Sequence, residues 1–348
     1  MIELDGSAKS GSGTLLRHAV SLATMLGEEL HMWNIRAKRE KPGLRPQHYQ
    51  AVLACQDMCQ ATVTGAEVGS MEIRYKPGKI IKGGSYNWDI GTGGSTTMLA
   101  MTLLPLACFA PEATTLRIVG GLFQDFAPSA YHIQHVLLPT LAKMGIQAEV
   151  AIERPGYAEL GGGIIRVKVE PVKVKIKPLQ PLKAGEIKEI RGIALASHLK
   201  QAKVSDRMAQ ECARRLRNQG YQVRIEAIYD DTALHAGAAL AIWAEAGNCR
   251  FGFDQAGRKG RRAESIGNYV ASNFLQDIRA KATVDRYLAD QLIIYGALAD
   301  GITEYIIPSL TEHVEANLWL VEHILGKFGA VAELTGNRLK IKGIGYTR

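Results

Sequence analysis

The stretch Val136-Leu137-Leu138-Pro139-Thr140-Leu141-Ala142-Lys143-Met144-Gly145-Ile146-Gln147-Ala148-Glu149-Val150-Ala151-Ile152 states the fold in miniature. Apolar residues recur at helical spacing as far as Met144, a glycine follows, and the period then switches to two. Glycine readily takes the left-handed conformation that ends a helix, so Gly145 marks where helix hands over to strand. The design recurs at 208–218, Gly220 and 221–227, and again at 320–327, Gly329 and 330–335. Residues 49–60 read as a further helix of this type, with a strand at 72–75. Repeated helix–strand units predict an α+β protein built from similar modules, each packing helices on one face of a sheet.

The gap between Gly220 and Gly329 is longer than that between Gly145 and Gly220, so something is inserted. Residues 167–181 alternate Val, Lys and Ile among Pro171, Pro178 and Pro181, which reads as an edge strand leading into a linker. Beyond it lies a self-sufficient pattern: strand 187–196, helix 205–218, strands 222–228, 237–245 and 249–253, and helix 263–279. The expected organisation is a large domain of residues 1–182 and 280–348, with a smaller α/β domain inserted at 183–279.

The chain has 348 residues, 47% of them apolar and 22% charged, which excludes disorder and a fibrous coil. Its 42 Lys+Arg against 34 Asp+Glu give a net +8, a weak pointer to an anionic partner. Five scattered cysteines, an odd number, suggest a reducing compartment, and Cys55 and Cys59 read as core residues on one helix face. The most apolar run, 98–110, contains Thr102 and Pro105 and is too short to span a bilayer. No leader pattern precedes the first strand, so a cytoplasmic protein without membrane engagement is expected.

Three segments could carry chemistry. Leu4-Asp5-Gly6-Ser7-Ala8-Lys9-Ser10-Gly11-Ser12-Gly13-Thr14-Leu15-Leu16-Arg17 sets a small-residue loop between strand and helix. It is either an anion cradle on free helix N–H groups or a plain turn. Its glycine spacing fits neither a Walker A motif nor a dinucleotide fingerprint. Ile35-Arg36-Ala37-Lys38-Arg39-Glu40-Lys41-Pro42-Gly43-Leu44-Arg45-Pro46-Gln47-His48 is an extended basic loop stiffened by two prolines and ending in amide and imidazole donors. Rigid turns reduce the entropy lost when guanidinium groups converge, and this spacing points to a phosphate site. The third segment pairs Tyr287-Leu288-Ala289-Asp290-Gln291-Leu292, opening one helix, with 308–318, opening the next. Ser309 with Glu312 fits a capping box, which would set His313 in or near the first turn. There the helix dipole favours a neutral imidazole beside phosphate, although a capped helix with a solvent-facing His would look the same. Arg207, Arg214, Arg215, Arg217 and the loop 257–262 are either a solvated face or a phosphate-contacting surface.

Together these residues resemble the RNA 3′-terminal phosphate cyclase family nearly end to end. The resemblance rests on Leu4-Asp5-Gly6, Leu16-Arg17, the loop 35–48, Gly91-Thr92-Gly93-Gly94-Ser95-Thr96-Thr97, Ala127-Pro128, Gly161-Gly162-Gly163, Tyr287-Leu288-Ala289-Asp290-Gln291, and His313 with Asn317. It implies βαβαββ units forming the large domain, and an ATP-dependent reaction with a divalent metal, Mg or Mn. In that reaction a histidine matching His313 becomes adenylylated and AMP passes to an RNA 3′-phosphate. The vicinal 2′-hydroxyl then closes a 2′,3′-cyclic phosphate. The resemblance further implies that Arg17, Arg36, Arg39, Arg45 and Gln47 bind phosphates and that Asp290 supports His313. Tyr287, Pro128, Gln291, Gly11 and Gly13 would hold the nucleotide.

The departures are specific. Ser10 stands where the family usually has an acidic residue, Leu122 and Tyr131 replace an expected Thr and Asp, and Pro155 and Glu159 alter the triple-glycine region. Lys9 is therefore expected to supply positive charge near the nucleotide phosphates. Two other readings compete with it. A catalytically inactive cyclase-like RNA-processing protein would lack the nucleophile that His313 provides. An enolpyruvyl transferase shares related repeats but does not suit the loop 36–48 or the insertion.

Overall fold

The helix–glycine–strand stretches fold as one connection order used repeatedly. The computed structural model describes residues 1–158 and 160–348, and Glu159 lies outside the described residues. The first unit runs β1 (Ile2–Asp5), α1 (Gly13–Leu26), β2 (Leu30–Trp33), α2 (Pro46–Cys59), β3 (Thr62–Thr64) and β4 (Ile73–Lys76). Its sheet order is β1-β2-β4-β3, with β1 and β2 parallel and the other pairs antiparallel. The second unit repeats this as β5 (Gly84–Asp89), α3 (Thr96–Cys108), β6 (Thr114–Gly120), a helical stretch, β7 (Ala148–Arg154) and β8 (Gly163–Val169). That stretch comprises α4 (Ala130–His132), a π-turn (Ile133–Leu137) and α5 (Leu138–Lys143). The order β5-β6-β8-β7 has the same pattern of parallel and antiparallel pairs, so both units are βαβαββ.

Next come β9 (Ile187–Ser197), α6 (Val204–Arg217), β10 (Val223–Tyr229), β11 (Gly237–Ala246), β12 (Cys249–Ala256) and α7 (Ala263–Arg279). They form a separate sheet ordered β10-β9-β11-β12 with its own apolar cluster, including Ile190, Leu240, Phe251 and Phe274. The chain then completes α8 (Leu288–Leu298), β13 (Ile302–Ile306), α9 (Glu312–Leu320), β14 (Val331–Thr335) and β15 (Arg338–Lys342). The order β13-β15-β14 matches the last three strands of the earlier units. Among the described residues this third unit has no first strand. Val284, just upstream, instead makes one parallel bridge to Arg250 of β12. The α+β class expected from the sequence is the one found.

The three capping glycines are all left-handed, Gly145 at φ 89°, Gly220 at 87° and Gly329 at 93°. An L-residue there would be strained, so these glycines fix where each helix stops. All five cysteines are buried, and the Cys59 thiol lies 3.2 Å from the Tyr75 hydroxyl. Leu15, Leu16, Leu103, Leu106, Leu292 and Ile293 are fully buried where α1, α3 and α8 meet the sheets. Each such side chain contributes about 1.5–3 kcal/mol, so the helices that open the three units form one rigid core.

Two local expectations are corrected. β8 is not an edge strand, because it pairs with β6 on one side and β7 on the other. Arg166 and Lys168 point to the solvated sheet face while Val167 and Val169 point inward, so alternation here marked a two-faced central strand. The proline-rich stretch after it is not a loose linker either. Val172 N–H donates to Cys108 C=O, Lys177 N–H to Met144 C=O, and Leu179 C=O accepts from Glu304 N–H.

Candidate active site

The helix N-termini of the repeated units bring the chemistry-bearing residues together. Thr14, Arg17 and His18 of α1, Met98 and Met101 of α3, Pro128, Tyr287, Asp290 and Gln291 around α8, and His313 of α9 line one cleft of about 180 Å³. Its walls are largely apolar with a few converging polar groups, the usual construction of a small-ligand site.

His313 sits in the first turn of α9. The cap is Thr311 rather than Ser309: its hydroxyl accepts from Val314 N–H at 3.2 Å, so the helix begins later than the Ser309–Glu312 pattern suggests. The His313 Nδ1 lies 3.3 Å from Thr14 Oγ1. Among the described residues Nε2 has no hydrogen-bond partner, and His313 lines the cleft. Although the ring is reachable from solvent, desolvation by the surrounding walls lowers its pKa, and the charges of Arg17 and Arg39 lower it further. The imidazole is therefore neutral at neutral pH, the state a nucleophile requires.

Arg17 is 8% exposed. Its guanidinium donates to Thr14 Oγ1 and contacts Met98 Sδ, both at 3.3 Å, and among the described residues it forms no ion pair. Burial pulls its pKa down to about 10, with Asp290 opposing the shift and Arg36 adding to it. A buried cation without a carboxylate partner is costly, and an anion entering the cleft relieves that cost. Asp290, in the first turn of α8, is raised to about 7, chiefly by desolvation, with Arg17 acting in the opposite direction. Its side chain does not hydrogen-bond to His313, whose partner is Thr14; its backbone C=O accepts from Asn317 Nδ2 at 3.1 Å. Asp290 thus ties α8 to the helix bearing His313 and acts electrostatically on Arg17.

Tyr287 precedes α8, its N–H held by Asp285 Oδ1 at 2.8 Å and its ring packed against His132 and Phe253. It and Pro128 line the cleft together with Gln291, whose buried Oε1 has no hydrogen-bond partner among the described residues. The other expected residues form the rim. Gly11 is left-handed at φ 55°, and Gly13 opens α1 where a Cβ would come within 2.1 Å of His48 Nε2. Arg36, itself left-handed at φ 54°, donates through one amino group to Lys41 C=O at 2.7 Å and Gly43 C=O at 2.8 Å, locking the basic loop. Arg39 approaches Glu312 at 4.0 Å, and Lys9 pairs with Glu315 at 3.3 Å, so both lie beside the first turn of α9. Arg45 caps α2, and the Gln47 carbonyl oxygen accepts from Ser95 N–H at 3.0 Å, leaving its amide N–H groups for another partner.

His48 is not an exposed imidazole donor. It is 3% exposed, and its Nδ1 accepts the Arg45 N–H at 3.3 Å, so it staples the start of α2 against Gly13. The residue that sequence reasoning left without a role is Thr14, which joins Arg17 to His313; its distance from His313 in the chain hid the contact. His18 and Tyr295 were also missed. Both line the cleft with a buried polar atom that has no partner among the described residues, and burial drops His18 to about 3.

Among the described residues no group of three or more His, Cys, Asp or Glu could cage a metal ion. Two carboxylates line the cleft, and Asp125 is already taken by Arg258 and Arg261. The donor set does not fit a metal held by protein ligands alone. On the basic helix α6, Arg207 pairs with Glu264, and Arg214 and Arg215 with Glu211, while Arg217 donates to Val223 C=O at 2.9 Å.

A family model described as RNA 3′-terminal phosphate cyclase matches residues 8–329. Curated relatives bearing that name include one from Pyrococcus furiosus, 35% identical over 342 residues and 98% of each chain. Another, from Korarchaeum cryptofilum, is 37% identical over 325 residues, 93% of this chain and 92% of the relative. A third, from Thermococcus onnurineus, is 36% identical over 347 residues, 99% of each chain. With the match running through every segment that builds the cleft, this chain belongs to the RNA 3′-terminal phosphate cyclase family.

Proposed function

We propose that the protein is an ATP-dependent RNA 3′-terminal phosphate cyclase, a ligase-class enzyme that works through adenylylated His313. The observation that carries this reading is a neutral imidazole at a helix start, one nitrogen held by Thr14 and the other open to a cleft that contains an unpaired buried arginine.

With its Nδ1 proton donated to Thr14 Oγ1, His313 keeps a lone pair on Nε2. Nε2 attacks the α-phosphorus of ATP, the bond to the bridging oxygen breaks, and pyrophosphate leaves. Arg17, already desolvated, stabilises the charge that builds on the phosphoryl oxygens, and the positive end of α9 adds to it. An oxygen of the RNA 3′-phosphate then attacks the same phosphorus, the P–N bond breaks, and its electron pair returns to Nε2. The vicinal 2′-hydroxyl attacks the RNA phosphorus, loses its proton and expels AMP, closing the ring. Each step has a good leaving group, which is the gain from covalent catalysis.

Tyr287 and Pro128 would flank the adenine and Gln291 would meet its edge, while Arg36, Arg39, Arg45 and the free amide of Gln47 would meet phosphates arriving over the rim. Gly11 and Gly13 would let the backbone approach the nucleotide closely. Asp290 would tune Arg17 rather than orient the imidazole. Residues 183–279 would act as an inserted domain fixed against the second and third units. The test is to supply an RNA ending in a 3′-phosphate with ATP. A phosphatase-resistant 2′,3′-cyclic end that forms only with ATP supports the reading, and an unchanged 3′-phosphate removes it.

A further inference from the structure

Phe126 is 85% exposed, the largest exposure of any large apolar side chain among the described residues. It sits in the wall of the cleft that holds Arg17 and His313, two residues before Pro128. Water contact over so much ring surface is unfavourable. Its neighbour Asp125, with a side chain only 10% exposed, binds Arg258 at 2.8 Å and takes a two-pronged contact from Arg261 at 2.8 and 2.9 Å. These arginines belong to the loop between β12 and α7, so the segment carrying Phe126 is pinned from outside its own unit. Arg258 also lies over the Phe126 ring, 5.8 Å from its centroid, a cation–π contact that supports the ring on one side.

Resting on the cyclase reading, we propose that Phe126 is the stacking platform for the base of the RNA's 3′-terminal nucleotide. A rigid, flat, exposed ring at the mouth of a phosphate-binding cleft suits an unpaired base, because every base offers a π face whatever its identity. The adenine of ATP is the poorer occupant, since it would sit inside, between Pro128 and Tyr287, while the RNA must run out past the rim to solvent. Asp125, Arg258 and Arg261 then acquire a purpose. They hold the ring still, so that stacking costs little ordering entropy and places the terminal phosphate over His313. The basic loop of the intervening unit serves the site by holding this wall.

The experiment compares wild type, Phe126→Ala and Phe126→Trp on a short RNA ending in a 3′-phosphate and on the same RNA with an abasic terminal nucleotide. KM for RNA, KM for ATP and RNA affinity by fluorescence anisotropy are all measured. Phe126→Ala should raise KM for RNA and weaken RNA affinity roughly tenfold, the scale of one lost base–aromatic stack. KM for ATP should move less than twofold, and Phe126→Trp should restore RNA affinity. The abasic RNA should lose the same factor with wild type and no further factor with Phe126→Ala. The proposal is overturned if Phe126→Ala leaves RNA affinity unchanged, if its effect falls on KM for ATP, or if the abasic and alanine losses simply multiply. Failure of the cyclase reading would look different: wild type itself would make no cyclic end, while the anisotropy arm would still report on stacking.

Discussion

Two arginine-rich regions of this protein differ in one respect that matters. On α6, Arg207 pairs with Glu264, and Arg214 and Arg215 share Glu211, so each of these cations already has a carboxylate partner in the folded chain. In the cleft, Arg17 is buried, forms no ion pair among the described residues, and has its pKa pulled down to about 10 by desolvation. Counting charges would rank the helix above the cleft, whereas pairing reverses the order. A surface ion pair contributes little and asks for no ligand, while a buried unpaired guanidinium holds free energy that only an anion releases.

The comparison can be broken at several strengths. Removing the proposed nucleophile with His313→Ala should abolish adenylylation, a loss of about 10³-fold or more in single-turnover assays. Arg17→Met should lower the rate about 10²- to 10³-fold, the scale of losing a fixed donor to a developing oxyanion, without unfolding the protein. Thr14→Val should cost about tenfold by freeing the ring of His313, and the loss should fall on the adenylylation rate more than on KM for ATP. Arg214→Ala with Arg215→Ala should change RNA affinity less than twofold and leave its salt slope intact. A flatter slope would move α6 into the phosphate-binding surface and undo the contrast.

Two pH effects sharpen the picture. His313 has its pKa lowered, so it stays neutral below the usual imidazole value. The acid limb of the adenylylation rate profile should therefore lie at lower pH than that of an ordinary imidazole, and a limb at or above the ordinary imidazole position would contradict this. Asp290 is raised to about 7. Between its unfolded value near 3.8 and about 7 the unfolded chain releases a proton that the folded chain keeps. Stability on this account falls as pH rises through that window. Asp290→Asn should leave melting temperature nearly unchanged at pH 4 and raise it at pH 8.

Much of the fold was legible because its punctuation is local. Gly145, Gly220 and Gly329 each needed a left-handed residue where a helix met a strand, and the period change beside them is a property of a few neighbouring residues. That the third unit has no first strand among the described residues was not legible, because nothing local marks it; Val284 makes one bridge to Arg250 of β12 instead. β8 was misread as an edge since alternation shows only that one face is wet, not how many partners the strand has. In the site, the residue types at Arg17, Asp290 and His313 were visible, but the Thr14 contact and the isolation of Arg17 arise only when α1 and α9 pack together. His48 misled for a related reason: beside a row of cations it looked like another donor, yet Gly13 leaves a space that its ring fills.

The proposed chemistry turns on His313 as a neutral nucleophile facing the α-phosphate of ATP. Incubating the protein with α-labelled ATP, then denaturing it and following the label through mild acid, tests this most directly. The account predicts one acid-labile label per chain on His313, absent from His313→Ala. Equal labelling of wild type and His313→Ala, or none in wild type, would contradict it.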